Sequence, residues 1–375
     1  MSSYISSSES HRRFVLGLLA LVFVSVAGLF ALGIYLQPLN QHGALTRIGF
    51  YSERAFGWNR PQLTFPHTKL EFPASVADSG RYDSYHDVVV LGDSFSRIWP
   101  ALQWQNHLAA ATRWSVATLN INKIGPEQVL ASKVFHKHPP RVLIVELVEE
   151  NLPEKLEANT PSCGKISTSL NQGNNGDASP VFTPFPRSKN HLSGTTQRVE
   201  RERLLSEIKL GFVRGYIWNN LRREFMGDAH IAVSKVELIR PAPFSSRNQQ
   251  AMLVYKADYD KVKLWKKLGL NEMRCRIEAM RRQVEANGHT RFVLMVPPDK
   301  LTAYADFLKN KDLRNISTLA QLSGYSPEVI PRLDLALIAA IREGEQDVYL
   351  PDDTHWGSSG NQIAAETLLT FLQQP

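Results

Sequence analysis

The sequence predicts an α/β fold in which about five parallel strands alternate with helices. Two apolar runs, Val88–Leu91 and Val142–Leu147, the second interrupted only by Glu146, have the composition of strands that are buried on both faces. Helical patterns at about residues 99–112 and 127–135 separate the first three strands. This alternation of strands and helices favours parallel pairing through crossover connections.

The other elements follow in chain order. Strands are predicted at residues 87–91, 115–121, 142–147, 291–296 and 347–350. Further helices are predicted at residues 198–225, 272–287, 327–343 and 358–372, and Gly288 and Gly344 stand where C-terminal caps belong. In helix 198–225 apolar residues lie on one side and arginines on the other. This pattern favours a solvated basic face, with an anionic polymer or lipid head groups as alternative partners.

The composition is that of an ordinary globular chain long enough to bury a sizeable core. A net charge of +7 permits an anionic partner, but no nucleic-acid motif accompanies it, so we expect no nucleic acid to bind. The two cysteines, Cys163 and Cys275, are compatible with a disulfide or with free thiols and are too few for a zinc site. We therefore predict no metal site and no cofactor.

Residues 14–36 form an uncharged apolar segment that follows Arg12 and Arg13. Roughly 20 apolar residues span the hydrocarbon core of a bilayer, whereas the core of a signal peptide has only about 7–15. The segment therefore predicts a transmembrane anchor, with residues 1–13 in the cytoplasm and the rest of the chain exported. A long cleaved signal peptide is the alternative.

A serine and a histidine are predicted to meet at one edge of the sheet. The first strand ends abruptly at Gly92-Asp93-Ser94, which places Ser94 at the carboxyl edge where ligands bind in open α/β sheets. His355 follows the fifth predicted strand and thus lies at the same edge. A serine hydroxyl needs a base to become a nucleophile. We predict that His355 is this base and that Asp353 orients it, with Asp352 as the rival carboxylate.

Acyl transfer would also require hydrogen-bond donors for an oxyanion. Gly125 follows the second predicted strand, Asn151 follows the third, and the main-chain N–H of Ser94 is a further candidate. The structural alternatives are a simple turn at Gly125 and a loop or helix-cap role for Asn151.

In combination, these motifs resemble the SGNH, or GDSL, hydrolase superfamily. The finer similarity is to its alginate O-acetyltransferase branch, the AlgJ/AlgX-like proteins, and is carried by Gly92–Ser96, Val296–Lys300 and Asp353–Trp356. In that branch the Asp-x-His motif precedes the serine, whereas Ser94 comes first here. Glu150 stands where the branch tends to have an arginine.

The resemblance implies a flavodoxin-like three-layer α/β/α sandwich and ester chemistry on a serine. It further implies an O-acetyltransferase that modifies an exported polysaccharide through an acetyl-serine intermediate, in the periplasm and anchored in the bacterial inner membrane. The implied partners are the polysaccharide acceptor and a membrane-bound acetyl-donor protein. A polysaccharide or small-ester acetylesterase with the same residues is one alternative, and a non-catalytic polysaccharide-binding subunit is another.

The predicted organisation has four parts. A tail (1–13) and an anchor (14–36) precede an irregular packing segment at residues 37–86, which is rich in Pro, Gly and aromatic residues. Residues 87–375 form the catalytic domain, with an insertion at about residues 156–270.

Overall fold

The computed structural model describes residues 4–36, 44–57, 64–69, 75–77, 81–98, 103–160, 163, 195–200, 210–227 and 232–374. The strands in these ranges are β1 (Thr64–Lys69), β2 (Ser75–Ala77), β3 (Val88–Gly92), β4 (Val116–Asn120), β5 (Val142–Glu146), β6 (Thr195–Glu200), β7 (Val233–Glu237), β8 (Ala251–Tyr255) and β9 (Arg291–Met295).

The α-helices in the same ranges are α1 (Tyr4–Leu36), α2 (Ala44–Gly49), α3 (Glu53–Phe56), α4 (Trp104–Thr112), α5 (Pro126–Leu130), α6 (Lys133–Lys137), α7 (Leu152–Asn159), α8 (Leu210–Met226), α9 (Ala257–Leu268), α10 (Leu270–Glu285), α11 (Lys300–Ala303), α12 (Leu319–Tyr325), α13 (Leu333–Arg342) and α14 (Ser358–Leu372).

The central sheet is parallel and has the strand order β2-β4-β3-β5-β9. In its middle, Val90 of β3 pairs with Thr118 of β4 on one side and with Ile144 of β5 on the other. Every residue of β3, β4, β5 and β9 is buried. Four of the predicted strands are thereby confirmed as one parallel sheet, and β2 adds a further short strand beside β4.

Helices cover both faces of this sheet. Val88 and Val90 of β3 pack into a core formed with α4, α13 and α14. Val89 and Leu91 point to the other face, where they pack with α7 and α10. The continuous apolar runs in the sequence follow from this burial on both sides, because alternate residues of a strand face opposite cores.

The predicted strand at residues 347–350 is wrong. Asp347 has a φ of 53°, in the left-handed region, so the chain bends at the point where the strand should begin. Beyond it Tyr349 forms an antiparallel bridge with Trp356, and the Leu350 N–H donates to the carbonyl of His355. The segment therefore folds back on itself, and its apolar side chains are buried in a loop.

Several predicted helices have other boundaries in the structure. Of the helix predicted at residues 198–225, residues 201–209 lie outside the described ranges, residues 210–225 lie in α8, and residues 198–200 belong to β6, which pairs with β1. The helix predicted at 127–135 is divided into α5 and α6 because Ser132 caps a new helix, accepting the N–H of Phe135. Residues 99–102 of the predicted first helix lie outside the described ranges.

The C-terminal half agrees more closely with the predictions. Helices α10 and α14 lie within about two residues of their predicted bounds, a normal uncertainty for helix ends. The helix predicted at 327–343 begins later, at Leu333, directly after Pro331 and Arg332. Gly288 and Gly344 have φ values of 68° and 92°, the conformation expected of glycines that end helices.

The N-terminal region contributes an apolar helix and small regular elements. Within α1, residues Ser8–Leu36 are long and apolar enough to cross a membrane, and their most apolar stretch of 18 residues has a mean hydropathy of 2.7. Within the segment predicted as irregular, residues 37–86, the described residues include α2, α3, β1 and β2. The first two pack with the antiparallel pair β7–β8 in a separate small core.

One disulfide joins Cys163, beyond the end of α7, to Cys275 of α10. It closes a sequence separation of 112 residues. The cysteines therefore form a disulfide and are not free thiols, the two states that the sequence analysis left open.

Candidate active site

Ser94 lies in a short turn that Asp93 holds in place. One carboxylate oxygen of Asp93 accepts the N–H of Phe95 at 2.9 Å, and the other accepts the N–H of Val148, beyond β5, at 2.9 Å. The residue thus caps the 3₁₀ turn at residues 94–96 and ties it to the neighbouring strand. Ser94 is consequently presented at the carboxyl edge of the sheet, as its place in the sequence predicts.

Gly92 is required at this edge by close packing. A Cβ atom there would lie 2.4 Å from Cβ of Ser96 and 3.1 Å from Oε2 of Glu146. That same Glu146 oxygen accepts the N–H of Asp93 at 3.0 Å. Burial and the nearby charge of Asp93 raise the pKa of Glu146 well above its usual value. The turn is therefore built around a buried carboxyl group whose ionisation is disfavoured and which the sequence analysis missed.

His355 bridges the serine and an aspartate. Its Nε2 lies 2.8 Å from Oγ of Ser94, and its Nδ1 lies 2.7 Å from Oδ1 of Asp353. The ring also packs on Phe95, with centroids 4.8 Å apart. The structure thus brings Ser94 to His355 and its neighbour Asp353, although Ser94 and His355 are 261 positions apart in the sequence.

Asp353 makes the contact to the ring, and Asp352 contributes elsewhere. Oδ1 of Asp353 also accepts the main-chain N–H of Thr354 at 2.6 Å. Although burial opposes ionisation, the charge and hydrogen bond of His355 hold the pKa of Asp353 below its usual value. The main-chain carbonyl of Asp352 accepts the N–H groups of Leu45 and Thr46 in α2. Helix α2, which lies outside the central sheet and its covering helices, thus supports the loop at residues 350–356 that carries His355 (the histidine loop).

A buried lysine holds the same loop from within. Nζ of Lys300 donates to the carbonyl oxygens of Leu350, Pro351 and Asp353 at 2.7, 3.2 and 3.0 Å. Burial lowers the pKa of this amine to about 8. The sequence analysis noted the Val296–Lys300 motif but not this function, because main-chain acceptors leave no signature in the sequence.

The predicted oxyanion donors make local hydrogen bonds. The N–H of Gly125 donates to Oε1 of Gln128 at 2.7 Å, at the start of α5. Nδ2 of Asn151 donates to Oε1 of Glu150 at 3.2 Å. Both residues follow the strands they were predicted to follow, and their part in binding an oxyanion remains a prediction.

A group of acidic residues lies around Lys261. Ligand oxygens of Glu150, Asp258 and Asp299 lie within 4.8 Å of one another, close enough to hold a metal ion. Nζ of Lys261 lies 2.8 Å from carboxylate oxygens of Asp299 and Glu149 and compensates part of the charge. Burial and the charge of Asp299 raise the pKa of Glu150 to about 7. Lys261 thus compensates part of the charge of carboxyl groups whose ionisation burial opposes, and the sequence analysis did not predict this group.

The comparison with known families concerns the C-terminal third of the chain, which contains His355. Residues 254–375 match the family model of the SGNH hydrolase-like domain of acetyltransferase AlgX. This AlgX-like region includes Lys300, Asp353 and His355, whereas Ser94 lies outside it. The match confirms the resemblance to AlgX-like SGNH proteins, and an acetyltransferase domain of this kind implies an enzyme. No curated protein and no solved structure matches the chain.

Proposed function

We propose that this protein is a membrane-anchored O-acetyltransferase that acetylates an exported polysaccharide through an acetyl-Ser94 intermediate. The observation that carries the proposal is the hydrogen-bonded series Ser94, His355 and Asp353, of which two members lie in the AlgX-like region. The series has the arrangement of nucleophile, base and orienting carboxylate that acyl transfer requires.

In the first half-reaction Oγ of Ser94 attacks the carbonyl carbon of an acetyl ester or thioester, and its proton passes to Nε2 of His355. The tetrahedral intermediate expels the alcohol or thiol of the donor, which takes the proton from His355, and acetyl-Ser94 remains. In the second half-reaction a sugar hydroxyl attacks this ester, again giving its proton to His355. Free Ser94 and the acetylated sugar result.

The donors for the oxyanion are proposed to be the main-chain N–H of Ser94, Gly125 and Asn151. The N–H of Gly125 would first have to leave Gln128. The amide of Asn151 has a second N–H beside the one that it donates to Glu150.

The strand arrangement supports the flavodoxin-like sandwich that this family implies. Strands β4-β3-β5-β9 have the order 2-1-3-4 when numbered along the chain, which is the order of the first four flavodoxin strands. Packing of helices on both faces agrees with three layers.

The proposed location is the inner membrane of a bacterium, with the catalytic domain in the periplasm. The apolar part of α1 follows Arg12 and Arg13, which favour a cytoplasmic N-terminus. The Cys163–Cys275 disulfide supports export, because disulfides persist in oxidising compartments. A polysaccharide acceptor and a membrane-bound acetyl-donor protein are the proposed partners.

Mass spectrometry of a panel of oligosaccharides, incubated with the full-length protein and an acetyl-ester donor, tests the proposal. Acetylated sugar from the wild type and none from Ser94→Ala is the expected result. Ser359→Ala removes a half-buried serine hydroxyl outside the proposed series and serves as the matched control. Donor cleavage without acetylated sugar would identify an esterase, and equal activity of wild type and Ser94→Ala would refute the mechanism.

A further inference from the structure

Helix α8 turns an apolar stripe away from the rest of the molecule. Leu210, Trp218, Leu221 and Phe225 are 68, 62, 49 and 81% exposed. Their spacing in the sequence places them along one side of the helix. Phe212, on the opposite side of the helix from Leu221, stacks on Phe50 with centroids 5.6 Å apart. The helix therefore has a second apolar surface, which the described residues leave uncovered.

Helix α8 lies beside the apolar helix α1. The two helices are in contact, and within residues 8–36 of α1 the buried positions are Gly33 and Leu36, in its last turns. The uncharged apolar part of α1, residues 14–36, is about 34 Å long, whereas a hydrocarbon core is about 30 Å thick. If α1 crosses a bilayer, its last turn reaches the interfacial layer, and α8 lies at the same level.

The side chains of α8 suit that layer. Large apolar side chains on one face and arginines beside them are typical of helices that lie in a membrane interface. Trp218 combines an apolar ring with a polar N–H. The exposed Arg214 lies on the same side of the helix, between Leu210 and Trp218, and its long side chain can extend to lipid phosphates. The same arginines make α8 unsuited to cross the hydrocarbon core.

We infer that α8 lies in the interface of the bilayer that α1 crosses, with its apolar stripe at the boundary of the acyl chains. This inference rests on the proposed role of α1 as an anchor. It goes beyond that role because it gives the domain a second point of contact with the membrane, which restricts rotation about α1.

The second contact is linked to the candidate active site. The guanidinium of Arg223 lies 3.9 Å above the ring of Tyr51 and also donates to the main-chain carbonyl of Gly49. Helix α2, which ends at that glycine, in turn holds the carbonyl of Asp352 in the histidine loop. Membrane contact through α8 would therefore also restrict the motion of α2, the helix that supports the loop carrying His355.

Spin labels on the full-length protein test the inference. The protein is reconstituted in vesicles of phosphatidylethanolamine and phosphatidylglycerol, with a nitroxide on Phe225→Cys in the stripe. Because both native cysteines form the disulfide, an introduced cysteine is the site of labelling. Phe23→Cys, in the middle of α1, is the reference for the hydrocarbon core, and Glu366→Cys, exposed on α14, is the reference for water.

Collisions with oxygen and with a water-soluble nickel chelate are then compared. We expect the oxygen-to-nickel collision ratio at position 225 to exceed that at 366 several-fold and to approach that at 23. A ratio equal to that at 366 would place the stripe in water and overturn the inference. Low collision rates with both reagents would show that protein covers the stripe and would overturn it equally. A water-like ratio at position 23 would remove the anchor itself, and acetyl transfer by Ser94 could still be measured separately.

Discussion

The main-chain N–H of Ala44 donates a hydrogen bond of 3.3 Å to Oδ2 of Asp353, although 309 residues separate the two in the sequence. Oδ1 of the same carboxylate faces Nδ1 of His355. The first helical residue after the described apolar helix thus supports the carboxylate that orients the proposed base. This hydrogen bond also contributes to the lowered pKa of Asp353, after the opposing effect of burial and the larger effect of His355.

Replacing Ala44 by proline should reduce catalysis without unfolding the domain. Proline lacks the N–H but is well tolerated in the first turn of a helix, which is where Ala44 stands. A hydrogen bond to a charged group contributes about 1.5–3 kcal/mol, so we expect kcat/KM to fall by about tenfold or more. Ala44→Gly keeps the donor and should retain most of the activity. Equal loss of activity in both variants, or unfolding of Ala44→Pro at the assay temperature as the whole cause of its loss, would contradict a positioning role.

Replacing Lys300 by methionine should destabilise the histidine loop. The change leaves three buried carbonyl oxygens without their charged donor. We expect the free energy of unfolding to fall by about 2–4 kcal/mol, as measured by chemical denaturation, and the acetyltransferase activity to fall with it. Lys309→Met removes an exposed lysine that pairs with Glu237 and should change stability by less than about 1 kcal/mol. An equally small change in Lys300→Met would show that the three hydrogen bonds from Lys300 contribute little to stability.

The sequence predicted the features that depend on local pattern. Strands such as β3 and β5 were recognisable because burial on both faces leaves continuous apolar runs. Ser94 and His355 could be expected near one another because parallel strands end at a common edge. This expectation succeeded although His355 follows a folded-back loop and not a strand.

The features that were missed depend on contacts between distant parts of the chain. Apolar Val348 and Tyr349 resemble a strand, and neither their composition nor their order reveals the bend at Asp347. The supports from Ala44 and Lys300 are bonds between main-chain atoms and groups far apart in sequence. The outward-facing stripe of α8 could not be distinguished from a core-facing one. Helical spacing alone does not say whether an apolar face packs against the protein core or faces outward.

Titration of Glu150 should make stability depend on pH. Burial and the charge of Asp299 raise the pKa of this carboxyl from 4.5 to about 7. Between these values the folded state binds more protons than the unfolded state, so the free energy of unfolding falls as pH rises from about 4.5 to about 7. The total decrease from this group is at most about 3 kcal/mol.

Denaturation of Glu150→Gln at several pH values checks this dependence. The variant should be more stable than the wild type at pH 8 and should lose this advantage at pH 4, since glutamine imitates the protonated acid. Glu154→Gln, which changes an exposed carboxyl on α7, is the matched control and should preserve the slope of the wild type. An unchanged slope in Glu150→Gln would show that another group takes up the proton.

Removal of the disulfide should lower stability while leaving the candidate active site able to form. Cys163 and Cys275 join the region beyond α7 to α10, whereas Ser94 and His355 depend on β3 and on the loop before α14. A bridge across 112 residues restricts the unfolded chain strongly, and typical disulfides contribute about 2–4 kcal/mol. We expect Cys163→Ser/Cys275→Ser to lower the free energy of unfolding by this amount and to retain kcat/KM at a temperature where it stays folded. Unchanged stability would mean that the unfolded chain is already compact in this region, and a large loss of kcat/KM in the folded variant would link the bridge to the site.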